Sequence, residues 1–248
     1  MNEFMTLLLQ KREELFVLFL QHINMTTIAV LISLAVGVPV GIMITRNKMA
    51  AKIMIAVANV MQSIPCLALL AISVIFIGIG TKPAILMVFV YAFLPILKNT
   101  YTGIMSVDPK NLEVARGIGL SRWKCLFEIE IPIAAPFIMS GIRIASVAAV
   151  GTMTIAAFAG AKGLGWFINL GLNSLNYQMI LLGAIPVSIL ALLVDYIFGK
   201  LENAITSEGL LAPELIKNKT KAEHHKEKVT AGAMCGAIIL VSILYYFI

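Results

Sequence analysis

Charge is scarce in this chain, and the scarcity decides its class. Only 13% of the 248 residues are charged, against 60% that are hydrophobic. A water-soluble domain needs a far more charged exterior, so the composition points to a chain solvated largely by lipid. Cysteine is nearly absent as well. Cys66, Cys125 and Cys235 stand far apart with no CxxC or Cys/His grouping, which offers no metal site and no thiol chemistry. Two of them fall in apolar runs, where a thiol is ordinary packing. No GxxxxGK[ST] phosphate loop occurs, so nothing here is built to cradle nucleotide phosphates, and any nucleotide energy must come from elsewhere. Acidic residues are missing from the apolar runs except for Asp195. Ion-coupled carriers draw on intramembrane carboxylates or broken helices around cation sites, so that class is disfavoured. The first residues also lack the cationic, apolar, small-residue order of a cleaved signal, because Glu13 and Glu14 offset Lys11 and Arg12.

What is present is a series of long apolar runs, too long and too unalternating for barrel strands. A bilayer crossing needs about 20 such residues, and in hydrocarbon each crossing must be a helix. The runs predict an interfacial lead-in over 15–21 and spans near 22–44, 53–81, 83–107, 133–159 and 177–198. Asn59, Gln62, Ser63 and Pro65 interrupt the second span, and 160–171 is a glycine-rich connection. This divides the chain into an outer N-terminal segment (1–21), a core (22–206), a polar linker (207–228) and an uncharged run (229–248) long enough for a sixth span. Net charge is +6. The basic residues concentrate at 45–52, 107–132 and 199–228, and their excess marks the cytoplasmic side. The N-terminus then lies outside and 107–132 inside. Lysines at 217–228 mark the inner side of the sixth span or meet anionic headgroups.

Residues 107–132, VDPKNLEVARGIGLSRWKCLFEIEIP, form the longest charged and amphipathic stretch between apolar runs. Asp108 is placed as an N-cap with Pro109 at the first helical position, and Gly117 or Gly119 stops the helix. Glu113 and Arg116 have the spacing of an intrahelical pair worth about 0.3 kcal/mol. Ala115 and Gly119 offer bare backbone for close approach. A second helix starting at Ser121 carries Trp123, Leu126 and Phe127 on one side and anchors to the bundle by its aromatics. The stretch from Leu112, LEVARGIGLSRWKCL, also has a helix-turn-helix look, but a loop pinned between two spans has no room to enter a major groove. Nucleic acid is therefore not an expected partner.

Glu113, Ala115, Gly119, Ile129 and Pro132 stand at the separations of the EAA signature of permease subunits of ATP-binding-cassette (ABC) importers, with Val114 and Ile131 as mild departures. Residues 58–70 (ANVMQSIPCLALL), 94–104 (LPILKNTYTGI) and 160–165 (GAKGLG) further resemble permeases for quaternary-ammonium osmoprotectants: glycine betaine, carnitine and choline. The resemblance spans roughly 26–202. It implies an all-α membrane protein with the type I ABC importer fold, a five-helix core like that of methionine importers, to which the C-terminal run adds a helix. It also implies a bacterial plasma-membrane location and a coupling helix, within 107–119, that docks on a cytoplasmic ATPase. Glu113, Ala115, Arg116, Gly119 and Pro132 are the coupling candidates. The partners it implies are two ATPase copies holding ATP and Mg, a second permease copy or homologue, an extracytoplasmic binding protein and membrane lipid. No cofactor is expected in this chain. Methionine or another amino acid is the alternative cargo, and an ion-coupled carrier the more distant alternative.

Asn59, Gln62 and Ser63 cluster at helical spacing in the second span. They line a translocation path or serve as interhelical hydrogen-bond glue. Thr152 is a further path candidate, although it and Thr154 are placed to bond their own preceding turn. Gly160, Gly163 and Gly165, with Trp166 following, form by resemblance part of an external gate; a plain re-entrant turn is the alternative. Arg143 lies about 15 Å along its helix from Pro132 at ~1.5 Å per residue. It must face protein or water, with Asp195 one partner and snorkelling or a carbonyl the other possibility. Substrate recognition is expected on the binding protein, through cation–π cages absent from this chain.

Overall fold

The computed structural model describes residues 2–205 and four scattered positions beyond them, Val229, Gly232, Ala233 and Gly236. The linker at 207–228 and the sixth span at 229–248 otherwise lie outside the described residues. Within them the chain is helical: α1 (Asn2–Ile44), α2 (Lys48–Ser63), α3 (Cys66–Ile77), α4 (Thr81–Met105), α5 (Pro109–Gly117), α6 (Arg122–Cys125), α7 (Ile131–Met153), α8 (Gly165–Asn173) and α9 (Tyr177–Ile205). A π-helical turn, Leu126–Glu130, joins α6 to α7, and a 3₁₀ segment, Thr154–Ala159, prolongs α7. Four of these stretches are long and apolar enough to cross a membrane, and α2 with α3 makes a fifth if the bent pair is one span. This is a multi-pass membrane protein.

Helix α4 is the centre. Ala84, Met87, Val88, Ile96 and Leu97 are all fully buried, and they feed separate clusters against α1, α3 and α7. Small residues permit that centrality. A Cβ on Gly37 would stand 2.9 Å from Ile96 Cγ2, and one on Gly41 2.7 Å from Thr100 Cβ. On the other flank, a Cβ on Gly141 would meet Asn99 Cβ at 2.6 Å and the Pro95 carbonyl oxygen at 2.9 Å. Lipid supplies no hydrophobic drive between helices, so close van der Waals approach through such residues is what associates them.

The lead-in at 15–21 and the span at 22–44 lie on one continuous helix, α1. No Gly or Pro precedes Gly37, and Lys11 pairs with Glu14 at 2.8 Å on one helical face. At ~1.5 Å per residue its 43 residues reach about 65 Å, roughly twice the hydrocarbon thickness. The second span is not a single helix: α2 and α3 meet at 95°. Ile64, before Pro65, is held extended by the proline ring, which ends α2. The Ile64 carbonyl, freed there, accepts a hydrogen bond from the Tyr91 hydroxyl on α4.

The connection after α7 turns at Gly160 (φ 74°) and Gly163 (φ 111°) before α8. With only nine residues α8 does not span; it packs on α9, where Gly183 admits the Leu164 carbonyl. The expected fifth span is α9, extended to Ile205.

Gly141→Leu is expected to destabilise the protein by about 1–3 kcal/mol by forcing α4 from α7. A thermal melt in detergent should show a lower Tm; an unchanged Tm would mean the contact yields freely.

Candidate functional site: the elbow between two spans

The segment between α4 and α7 folds as a short helix, a tight stop and a second helical piece. Asp108 accepts a hydrogen bond from the Lys110 N–H at 2.9 Å, and Pro109 opens α5, as the capping pattern predicts. The stop is a Schellman closure. Gly119 takes φ 86°, its N–H donates to the Arg116 carbonyl, and the Leu120 N–H donates to the Ala115 carbonyl, both at 3.0 Å. Gly119 therefore supplies the left-handed residue, while Gly117 is still helical. A Cβ at Gly119 would meet nothing within 4 Å, so the site is open on its outer side.

The faces of the elbow differ from the sequence expectation. Ala115, expected on an outward docking surface, is 1% exposed and turned into the subunit. The outward residues are Glu113, Val114, Arg116, Gly117 and Ile118, with Val114 and Ile118 66% and 73% exposed. The aromatic anchor is also reversed. Trp123 and Phe127 are 72% and 62% exposed and stack on one another at 6.3 Å, while Cys125 and Leu126 are buried. Trp123 and Phe127 share one side at i,i+4 spacing as expected, but that side faces away from the subunit; the π turn at Leu126–Glu130, with the Ile131 N–H bonding back to Leu126, follows and leads into α7. No ion pair joins Glu113 to Arg116 among the described residues. Pro132 sits in the first turn of α7, where its missing N–H costs nothing.

Two charge groupings hold the neighbourhood of α7. Arg143 makes a bidentate pair with Asp195 on α9, Nε to Oδ1 at 2.7 Å and Nη2 to Oδ2 at 2.9 Å. Asp195 is thus the partner, in place of snorkelling or a carbonyl. Its third nitrogen, Nη1, reaches Glu202 Oε2 at 3.2 Å, a partner that sequence reasoning missed. Seven residues separate Asp195 from Glu202, two helical turns on one face, and that spacing was the available signal. A second pair joins Arg46, in the α1–α2 turn, to the buried Glu130 at 2.8 Å. Nothing in the sequence singled it out, since either residue had several charges to choose from. It places the basic 45–52 turn and the 107–132 segment at the same end of the bundle.

The polar candidates are not gathered into one site within the subunit. Asn59 and Ser63 are exposed on α2 and Gln62 is half-buried, just before the α2–α3 break. Ser63 donates to the Asn59 carbonyl at 2.8 Å, and among the described residues none of the three bonds to a neighbouring helix. Thr152 donates to the Ala148 carbonyl at 2.8 Å and Thr154 to the Gly151 carbonyl at 2.7 Å, as their spacing implied. The three connection glycines are packed against neighbours. A Cβ on Gly160 would meet Ile79, one on Gly163 would crowd Met25 and His22, and one on Gly165 would run into the Thr154 carbonyl.

Residues 37–207 match the family described as binding-protein-dependent transport system inner membrane component. The chain belongs to that family. This permease is 42% identical over 210 residues to the carnitine transport permease protein OpuCB of Listeria monocytogenes, covering 85% of this chain and 96% of the relative. It is 41% identical, at 85% and 97% coverage, to the glycine betaine/carnitine/choline transport system permease protein OpuCB of Bacillus subtilis. It is also 42% identical over 190 residues to the choline transport system permease protein OpuBB of Bacillus subtilis, covering 77% and 88%. Among solved structures, a chain of the inward-facing MetNI methionine ABC transporter superposes with TM-score 0.66 at 22% identity, covering 75% of the permease and 94% of that chain. A chain of an amino acid ABC transporter gives 0.62 at 18% identity, covering 81% and 96%. The fold is that of type I ABC importer permeases.

Leu126→Ala should cost about 2–5 kcal/mol of stability as a buried truncation, whereas Trp123→Ala in the isolated permease should stay within about 0.5 kcal/mol. Detergent melts of the two variants check the inverted faces; equal losses would restore the aromatics as anchors.

Proposed function

We propose that this permease forms the translocation path of an ATP-driven importer for quaternary-ammonium compatible solutes, namely glycine betaine, carnitine or choline, in a bacterial plasma membrane. The observation that carries the cargo class is the 41–42% identity, across 85% of the chain, to permeases named for carnitine and for glycine betaine, carnitine and choline. The single subunit gives the selectivity to others. On this reading an external binding protein recognises the ammonium group and delivers the cargo to the path. A second permease, identical or homologous, pairs with it about an axis normal to the membrane. The exposed Asn59, Gln62 and Ser63 at the α2–α3 break, with Thr152 on α7, are the residues we assign to the path. Gly160, Gly163 and Gly165 shape the outer connection that closes over it.

Energy enters at the elbow, which on this proposal is cytoplasmic in keeping with the basic residues at its end of the bundle. Its outward face is Glu113, Val114, Arg116 and Ile118, two charges beside two exposed aliphatics on a capped, rigid helix. Such a face fits a groove on an ATPase subunit, with Gly119 open at its edge and the buried Ala115 behind it. ATP and Mg bind on two copies of that partner. Their closure draws the elbows together, and the spans rock to open the path towards the loaded binding protein; hydrolysis resets them.

Labelled glycine betaine taken up by vesicles holding the reconstituted importer should be displaced by excess carnitine or choline and not by methionine. Displacement by methionine alone would overturn the cargo class. For coupling, Gly119→Trp should lower uptake per ATP at least about tenfold by blocking docking. Gly119→Asn tolerates the left-handed backbone and should remain close to the parent. Equal coupling in the two variants would remove docking from this face.

A further inference from the structure

The pair between Arg46 and Glu130 joins two helix roots that are 84 residues apart in sequence. Nη2 bonds Oε2 at 2.8 Å and Nη1 bonds Oε1 at 3.3 Å, so the guanidinium grips both carboxylate oxygens. The Glu130 side chain is 6% exposed and that of Arg46 54%. Among the described residues no other cation is within ion-pair distance of Glu130. A buried carboxylate stripped of its one cation is left poorly solvated and uncompensated, so the two groups stay together when either moves.

What each residue is attached to gives the pair its meaning. Glu130 closes the π turn, and α7 begins at the next residue. Arg46 precedes Asn47, whose Oδ1 accepts from the Met49 N–H at 2.9 Å and the Ala50 N–H at 3.2 Å and so caps α2. The contact therefore clamps the root of α2 to the root of α7. Covalent continuity carries a displacement of the elbow directly into α7, whereas α2 is separated from the elbow in the chain by α3 and α4, packs on α4 through Ala51 and Ala58, and meets the α7 root through this ion pair. The lengthened ladder of the π turn is where the elbow can give without unravelling α7.

We infer that Arg46 and Glu130 form the joint through which movement of the α5–α6 elbow is handed to α2, and along it to the α2–α3 break that carries Asn59, Gln62 and Ser63. The inference rests on the proposed role of residues 107–132 in coupling to an ATPase. Both residues act by positioning; neither touches cargo. A simple brace would lose stability, uptake and hydrolysis together. A joint loses uptake for each ATP spent while the assembled complex still hydrolyses.

The test uses the intact importer, with permease, ATPase and binding protein in liposomes, and compares Arg46→Ala, Glu130→Gln and the exchange Arg46→Glu with Glu130→Arg. Uptake per ATP should fall about tenfold in each single variant and return to within about threefold of the parent in the exchange, as for coupled neighbours. An assembled Arg46→Ala complex with parental uptake per ATP overturns the joint. Should the single variants fail to assemble, the exchange decides: an assembled exchange complex with near-parental coupling supports the joint, and an assembled but uncoupled one overturns it. A cysteine replacing Ile118 in the parent should cross-link to the ATPase. Absence of that cross-link overturns the coupling role of the elbow itself, and with it the joint, which separates the two failures.

Discussion

The bundle depends on α4 lying close against α1 on one side and α7 on the other. In lipid the apolar side chains gain nothing by leaving their solvent, so the helices are held by contact distance. Gly37 and Gly41 on α1 and Gly141 on α7 make that distance small, because a single methyl at any of them would intrude on α4. Everything else hangs from this triple layer: α3 leans on the N-terminal half of α4, α9 packs on α7, and α8 folds back over α9.

The second constraint is electrostatic, and it concentrates on α7. That helix is tied at its root, through Glu130, to the α1–α2 turn and further along, through Arg143, to Asp195 and Glu202 on α9. Each contact joins segments that packing alone would let slide, because apolar surfaces in lipid have little preference for register. Directional bonds to a planar guanidinium do have such a preference. If the permease alternates between states as proposed, such ties would keep the elements they join together.

Much of this was legible beforehand because the signals are local. The count of apolar residues finds the spans, the excess of Lys and Arg groups the loops on one end, and Asp108, Pro109 and Gly119 write the elbow's caps letter by letter. The family followed from the motif for the same reason. What failed was anything dependent on phase or partner choice. Trp123 and Phe127 do share one side of their helix, but which side faces the bundle depends on how the segment is seated, and they were assigned inward because they are aromatic. Ala115 was placed outward, yet it lies on the face of α5 that is turned into the subunit. Asn59, Gln62 and Ser63 were expected either on a path or as glue; the fold leaves Asn59 and Ser63 exposed and Gln62 half-buried on α2, and among the described residues none of them bonds to a neighbouring helix.

The sequence alone thus determined solvent, the long apolar helices of the core and the capped helix at 109–117, since each follows from composition or from residues a turn apart. Tertiary structure alone decided the 95° break of the second span, the inward turn of Ala115, and the pairing of Arg46 with Glu130 and of Arg143 with Glu202. Those depend on which helices meet in space, and a charge 84 or 59 residues away in the chain is matched to its partner only when the helices pack.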